Sequence, residues 1–419
     1  MDKITNYLGQ PIFSQILSLI DKTVIEQVTK LYRANRHSKK LMFKDHLVTM
    51  PYAVFTGCTS IREVQVGLEL CQGKLNHFNL KEVPPRSTLS DGNKKRPSSI
   101  FGALYQQLYK KYSHIISDSS LKKEVASKLY ILDSSTVSLF KAILKPAGRK
   151  RNDGKSKGGM KVHTLLKADC NMPCFIKFTA AALHDQQFYK YIKELPDGSI
   201  ITFDKAYINY EQFDLFDQRG IFYVIPQKEN ATYKSIKELE LKDQEPAILT
   251  DYLIEVTYKK KVDGIATEKL LQLRRIAYYS KKHEATFIYI TNHIKIEAMQ
   301  IVEIYKNRWQ IEKFFKKLKQ NFPLTYFLGD NVNAIEIQIW CSLIALMLLQ
   351  VLHKENCSNL AFSILAAIVR LHLMNYISIT DVIKHYKKKR ERKKALSTCH
   401  TKQRVKQMAH PHLQAEFEF

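Results

Sequence analysis

The sequence predicts an α/β protein in which a mixed sheet carries helices on its faces. Three observations lead there. Apolar residues at helical spacing run through the first 120 positions. Short β-branched and aromatic runs, later alternating with helical stretches, occupy about 128–226. Strand-like runs and then long apolar helices fill the remainder. With 419 residues and 45% hydrophobic content, the chain exceeds the usual size of one domain and can bury substantial cores. The expected division is 1–120, 121–230, 231–296, 297–375 and 376–419.

In the first region, Ile12, Phe13, Ile16, Leu17 and Ile20, and later Ala53, Val54, Phe55, Ile61, Val64, Val66 and Leu68, carry the helical period. Pro84-Pro85 breaks it. The hydroxyl-rich Arg86–Asp91 and the basic Lys94-Lys95-Arg96 after it read either as a helix-turn-helix meeting phosphates or as an ordinary capped helix and turn. Strands are expected at Leu129–Val137, Lys161–Lys167, Cys174–Thr179, Ser199–Asp204 and Phe222–Ile225, with helices at about 184–194 and 209–219. Further strands at Tyr252–Tyr258, Leu270–Tyr278 and Thr286–Thr291 make 231–296 a β-rich insertion. Apolar helices continue to about Met374, and a basic tail from Lys384 to Lys394 suits either phosphate contact or solubility.

Lysine and arginine outnumber acids by 66 to 40, giving a formal charge of +26 and a pI near 9.6. A polyanionic partner is the economical explanation, with nucleic acid ahead of a membrane surface. The start of the chain lacks the basic, then apolar pattern of a signal peptide. The longest apolar run, Ile335–Leu352, contains Glu336, Gln338 and Gln350, which favours a buried helix over a membrane span. A cytoplasmic protein with no membrane partner is therefore expected. Seven scattered cysteines fit reduced thiols, and Cys170 and Cys174 lack the second pair a zinc site needs.

The most informative stretch is Tyr305–Lys319. At ~100° per residue, Tyr305, Arg308, Glu312 and Lys319 project within a sector of roughly 60° on one predicted helix. Beside them runs an apolar stripe of Ile304, Ile311, Phe314, Phe315 and Leu318, and opposite lie Lys306, Gln310, Lys313 and Lys317. An ordinary surface helix needs only apolar and solvated faces, so the third strip points to a site. Its chemistry suits a phosphodiester: a carboxylate for a metal ion, cations for phosphate and a phenol for a backbone oxygen. Two acids precede it. Asp133 interrupts the apolar Leu129–Val137 and Asp204 ends the apolar Ile200–Phe203, and either is costly there without a partner or cation.

The spacing Y-x2-R-x3-E-x6-K, preceded by these two acids, resembles the signature of the insertion-sequence-four family of bacterial DDE transposases, over about Arg86–Leu352. The resemblance implies a ribonuclease-H-like core with a β-rich insertion, while the pattern of residues 1–120 leads to the expectation of a helical N-terminal DNA-binding region. The resemblance also implies that Asp133, Asp204 and Glu312 are catalytic and hold two divalent ions, magnesium by preference with manganese as a substitute. Tyr305, Arg308 and Lys319 would position DNA. Ser134–Thr136 match the family's hydroxyl after the first acid, whereas Ala206 stands where a glycine is usual. Lys161-Val162-His163 matches a frequent Lys-x-His, with His163 either touching substrate or completing its strand. In the basic, glycine-rich 141–161 stretch, Arg149, Lys150 and Arg151 are candidates for the phosphate backbone, and the stretch does not match a P-loop.

By this resemblance the activity is cut-and-paste transposition of an insertion sequence, at the bacterial nucleoid, with hairpin ends as one route and a homodimer pairing transposon ends with target DNA. In some family members an insertion aromatic holds a flipped base. Here the two tryptophans, Trp309 and Trp340, lie outside 231–296. An inactive DNA-binding regulator and a metal nuclease without strand transfer are the alternatives.

Overall fold

The computed structural model describes residues 9–117, 121–138, 149–150, 156–157, 159–192, 195–240, 246–262, 265–322, 324–356 and 360–393. The chain forms two compact units, one of Met1–Leu89 with Leu348–Phe419 and one of Ser90–Met347.

In the first unit, α1 (Ile12–Leu17), α2 (Lys22–Leu31), α3 (Phe43–Thr56) and α4 (Ile61–Glu69) are followed by a 3-10 turn, Gln72–Phe78. Phe13 is fully buried and meets Tyr52, Phe55 and Phe78 edge to face, with ring centroids 5.9, 6.2 and 5.1 Å away. Gln15, also buried, donates to the carbonyls of Gln10 and Ile377 and accepts from the Ile379 amide, so its amide is satisfied. Ser60 caps α4 by accepting from the Glu63 amide, and α3 stops at Gly57, whose φ of +73° suits glycine. Part of the basic tail, 379–393, is helical, and residues beyond it lie outside the described ones.

Helix α5 (Arg86–Lys95) leads into the second unit, which continues with α6 (Ser99–Ile116) and α7 (Lys123–Lys128). The strands are β1 (Leu129–Ser138), β2 (Arg149–Lys150), β3 (Ser156–Lys157), β4 (Gly159–Lys167), β5 (Met172–Ala180), β6 (Ile200–Phe203), β7 (Phe222–Pro226), β8 (Lys234–Glu238), β9 (Ile248–Val262), β10 (Ile265–Ser280) and β11 (Ala285–Thr291). A 3-10 helix, Asp185–Tyr191, and α8 (Tyr210–Gln218) separate the middle strands, and α9 (Ala298–Lys306), α10 (Trp309–Asn321) and the start of α11 (Val332–Asn356) come after the sheet, while the end of α11 and α12 (Phe362–His372) belong to the first unit. Each strand expected from pattern is present, within a few residues of the expected ends.

Among the described residues, nine strands form one mixed sheet in the order β5-β4-β1-β6-β7-β11-β10-β9-β8. The β1–β6 and β6–β7 pairings are parallel and the remainder antiparallel. The β-rich insertion is thus continuous with the core: β11 pairs with β7, and the long β9–β10 ribbon extends the same sheet. On one face, Leu132, Leu165, Phe188, Phe203, Tyr207, Phe213 and Tyr223 belong to a cluster with Ile254 and Leu273 of the ribbon, which ties ribbon and core together.

A buried fork also ties the ribbon to the segment that enters α9. Arg274 on β10 donates from Nε to Asp251 Oδ1 at 2.8 Å and from Nη2 to Oδ2 at 2.6 Å. Its Nη1 donates to the carbonyls of Ile294 and Ile296, at 3.1 and 2.5 Å, just ahead of α9. Arg274 and Asp251 are 6% and 2% exposed, so pairing and carbonyl contacts together offset their desolvation.

One expectation is corrected. The strip at 305–319 does not lie on one uninterrupted helix. Between α9 and α10, Asn307 and Arg308 keep helical angles, but the amides of Arg308, Gln310 and Ile311 bond three residues back. The tightened turn sits at the arginine of the signature. Helix α11 is long and apolar enough to cross a membrane, yet 94% of its most apolar window is buried, as a core helix requires.

Candidate active site

The register of the central strands explains why the acids meet. Leu132 of β1 is opposite Phe203 of β6, and both face the same core cluster. Side chains alternate along a strand, so Asp133 points to the other face, and Asp204, the residue after Phe203, stands beside it. Helix α10 packs near β1 on that side and brings Arg308 and Glu312. Its anchors are Ile311, Phe314, Phe315 and Leu318, all buried, as the apolar stripe predicts.

Arg308 lies between two carboxylates. Its Nη2 donates to Glu312 Oε1 at 2.7 Å, and its Nη1 is 4.0 Å from Asp133 Oδ2. Its Nε is buried with no hydrogen-bond partner among the described residues, leaving a donor beside the acids. The guanidinium also stands 5.7 Å from the ring centroid of Tyr305, which packs against Tyr289 at 4.8 Å. Burial raises the pKa of Tyr305, keeping it a neutral hydroxyl.

Asp133 is the most perturbed of the acids. Its carboxyl is pushed up to about 6, chiefly by burial and also by the charges of Asp204 and Glu312; the Ser134 amide, which donates to Oδ1 at 2.7 Å, and Arg308 act in the opposite direction. Asp204 is exposed, accepts from the Lys205 amide, and caps a 3-10 turn through Tyr207. Glu312 is about two-fifths exposed. Ala206 needs no left-handed backbone, so the departure from glycine costs nothing there.

Among the described residues no three acidic, histidine or cysteine side chains converge closely enough to make a ready metal cage. The donor set nevertheless suits a hard divalent cation. Three carboxylates face one region, the charged form of one is destabilised chiefly by burial and further by its neighbours' charge, and Arg308 is the cation that partly offsets this at Asp133. A divalent ion held there would offset that cost.

Other expected site residues lie elsewhere. Lys319 is exposed farther along α10. Lys161 and His163 are register partners of Thr136 and Ser134 on the face opposite Asp133. His163 is fully buried, with burial pushing its pKa down to about 4, so it is neutral and has no surface for DNA. Lys161 is only 15% exposed and is held by Asp185 and the Leu183 carbonyl. Arg149 and Lys150 lie in the short β2–β3 ribbon; their side chains, and Arg151 altogether, fall outside the described residues.

Asp185 is not marked by any sequence pattern of its own. The available signal is Lys161 and His163 at alternate positions of an apolar strand, which requires a buried polar partner.

Comparison with known proteins shows the family to which the chain belongs. Residues 126–348, more than half of the chain, match the family described as the transposase DDE domain, and residues 8–81 match a domain of unknown function (DUF4372). The transposase homologue y4zB of Sinorhizobium fredii is 27% identical over 277 residues, covering 65% of this chain and 73% of that protein. The transposase of insertion sequence element IS231D from Bacillus thuringiensis subsp. finitimus is 28% identical over 197 residues, 37% of this chain and 41% of that one. A piggyBac transposase synaptic complex with hairpin DNA aligns with 92% of this chain and 83% of that one at 10% identity and a TM-score of 0.43, too slight a likeness to establish a shared fold. The chain belongs to the transposase DDE domain family and is an insertion-sequence DNA transposase, an enzyme that cleaves and joins DNA.

Proposed function

We propose that Asp133, Asp204 and Glu312 form the catalytic carboxylate set for cut-and-paste transposition within a ribonuclease-H-like core. The observation that carries this reading is that Asp204 and Glu312 lie near enough to Asp133 to act on its charge, with Arg308 between Asp133 and Glu312. The parallel β1, β6 and β7 flanked by antiparallel β4 and β5 support the fold assignment.

The three carboxylates would hold two magnesium ions, which supply activation of a water or 3′-hydroxyl nucleophile and stabilisation of the leaving oxygen. The chain's own residues do the positioning. Arg308, with its free Nε, grips a non-bridging phosphate oxygen when its hold on Glu312 loosens. Tyr305 donates a hydrogen bond to the backbone, and Lys319, exposed on the same helix as Glu312, adds a more distant phosphate contact. Lys161 and His163 serve from behind the strand. Pairing of two element ends calls for a homodimer, and hairpin ends are one route to double-strand release.

The pH dependence follows from Asp133. Below about 6 its carboxyl takes a proton and loses its value as a cation ligand. Metal-dependent cleavage by the free enzyme is expected to fall about tenfold per pH unit below that point. A pH profile of kcat/KM checks this, and a flat profile down to pH 5 removes Asp133 from the role.

DNA binding by the N-terminal region is supported by the α2–α3 turn. Arg33, Arg36, Lys39 and Lys40 are exposed there, and among the described residues none forms an ion pair. Replacing Arg36, Lys39 and Lys40 together by alanine is expected to reduce the slope of log affinity against log salt by up to about 3, at ~0.9 per lost phosphate contact. Titration of a labelled duplex at several salt concentrations measures it.

The test of the activity is an end-labelled DNA fragment carrying the sequences that flank the gene, incubated with Mg2+ and a target plasmid. Integrated label supports transposition, and denaturing gels reveal hairpin ends. Release of ends without integration favours the nuclease.

A further inference from the structure

Behind the acids, on the opposite face of β1, lies a polar cluster centred on Asp185. Asp185 Oδ1 accepts from Ser134 Oγ at 2.9 Å and from Lys161 Nζ at 3.1 Å, and stands 3.9 Å from His163 Nδ1. The cluster is shielded: Lys161 and Asp185 are 15% and 20% exposed and His163 is fully buried. Around it, His163 stacks on Phe188 with centroids 4.9 Å apart, and its Nε2 meets Thr179 Oγ1 at 2.8 Å. The buried hydroxyl of Tyr207, three residues after Asp204, also borders Ser134 and Asp185.

Ser134 joins the two faces. Its hydroxyl donates backward to Asp185, and its amide donates to Asp133 Oδ1 at 2.7 Å. One residue therefore links a fixed carboxylate on the inner face to the catalytic carboxylate on the other. Asp133 Oδ1 is held by the strand, leaving Oδ2 turned toward Arg308.

We infer that Asp185 is a positioning residue: through Ser134, and with Lys161 pinning it in place, it fixes strand β1 and aims the carboxylate of Asp133. The inference rests on the proposed catalytic set. Asp185 belongs to the outer layer that orients a ligand, whose loss typically weakens metal affinity about 10–100-fold without removing the ligand itself. A solvated salt bridge would do none of this, but the Lys161–Asp185 pair is largely sequestered and its carboxylate oxygen is shared with the residue adjoining Asp133.

The test uses the full chain bound to its end DNA. Mn2+ affinity is measured by calorimetry on the wild type, Asp185→Ala, Ser134→Ala, Asp133→Ala and Glu312→Gln, alongside thermal stability and cleavage at rising Mn2+. Asp185→Ala and Ser134→Ala are expected to weaken Mn2+ binding about 10–100-fold, with cleavage recovered at high Mn2+. Asp133→Ala is expected not to recover. Asp185→Asn, which retains an acceptor oxygen for Ser134, should lose less than Asp185→Ala. Unchanged Mn2+ affinity in Asp185→Ala, even with a lower melting temperature, overturns the inference in favour of a purely structural pair. Loss that high Mn2+ cannot restore also overturns it, making Asp185 a ligand. Full cleavage by Glu312→Gln and Asp133→Ala would instead sink the underlying catalytic assignment, an outcome distinguishable from either.

Discussion

Replacing Asp133 by asparagine is expected to lower metal-dependent cleavage by at least ~10²–10³-fold while making the protein more stable at neutral pH. Both effects have the same cause. The carboxyl of Asp133 titrates near 6 in the folded chain, above the ordinary value near 4, because it is buried beside Asp204 and Glu312. Between those values the folded chain keeps a proton that the unfolded chain has lost. Stability therefore falls as pH rises through that window, and the penalty is complete above about 6. Removing the charge lifts the penalty, by about 1–3 kcal/mol at pH 8 and by little at pH 4. Thermal unfolding of both proteins at pH 4 and pH 8 measures it. A variant destabilised equally at both pH values contradicts the electrostatic account.

Arg274→Ala is expected to have the largest effect on stability, about 3–5 kcal/mol, because it strands the buried Asp251 carboxylate. The loss is not confined to the ribbon. The carbonyls of Ile294 and Ile296 lose their donor at the approach to α9, the helix that leads through Tyr305 to Arg308 and Glu312. Arg274→Lys should recover only part, since an ammonium cannot grip a carboxylate bidentately and reach both carbonyls. Urea unfolding quantifies the losses, and a cost below about 1 kcal/mol for Arg274→Ala would place the fork among weak surface pairs.

The strip of the proposed site is legible in the sequence because each of its features is local. Arg308 and Glu312 stand four residues apart on a helix, and a helical period brings them together without knowledge of the fold. Asp133 and Asp204 are conspicuous because an acid is costly beside an apolar strand. Their adjacency depends on parallel pairing of β1 with β6, which no local pattern encodes. The tightened turn at Asn307–Arg308 is invisible for a different reason: helical angles persist through it and only the hydrogen-bond spacing changes.

Long-range polar partners are the least legible. Arg274 and Asp251 are 23 positions apart and meet through the β9–β10 register, Arg274 being opposite Leu253. Asp185 reaches Ser134 across 51 positions, from a 3-10 turn whose composition resembles any capped helix start. Lys161 and His163 suggest DNA contacts in the sequence because they match the Lys-x-His frequent in the family they resemble. Here β4, the strand carrying them, lies between β5 and β1, and it turns both side chains to the shielded face with Asp185.

The most direct measurement is cleavage and strand transfer by the wild type and Glu312→Gln on DNA bearing the gene's own flanking ends, with Mg2+. The account predicts that both proteins bind the ends and that only the wild type cuts and joins them. Equal cutting by the two proteins would contradict it and remove the α10 carboxylate from the chemistry.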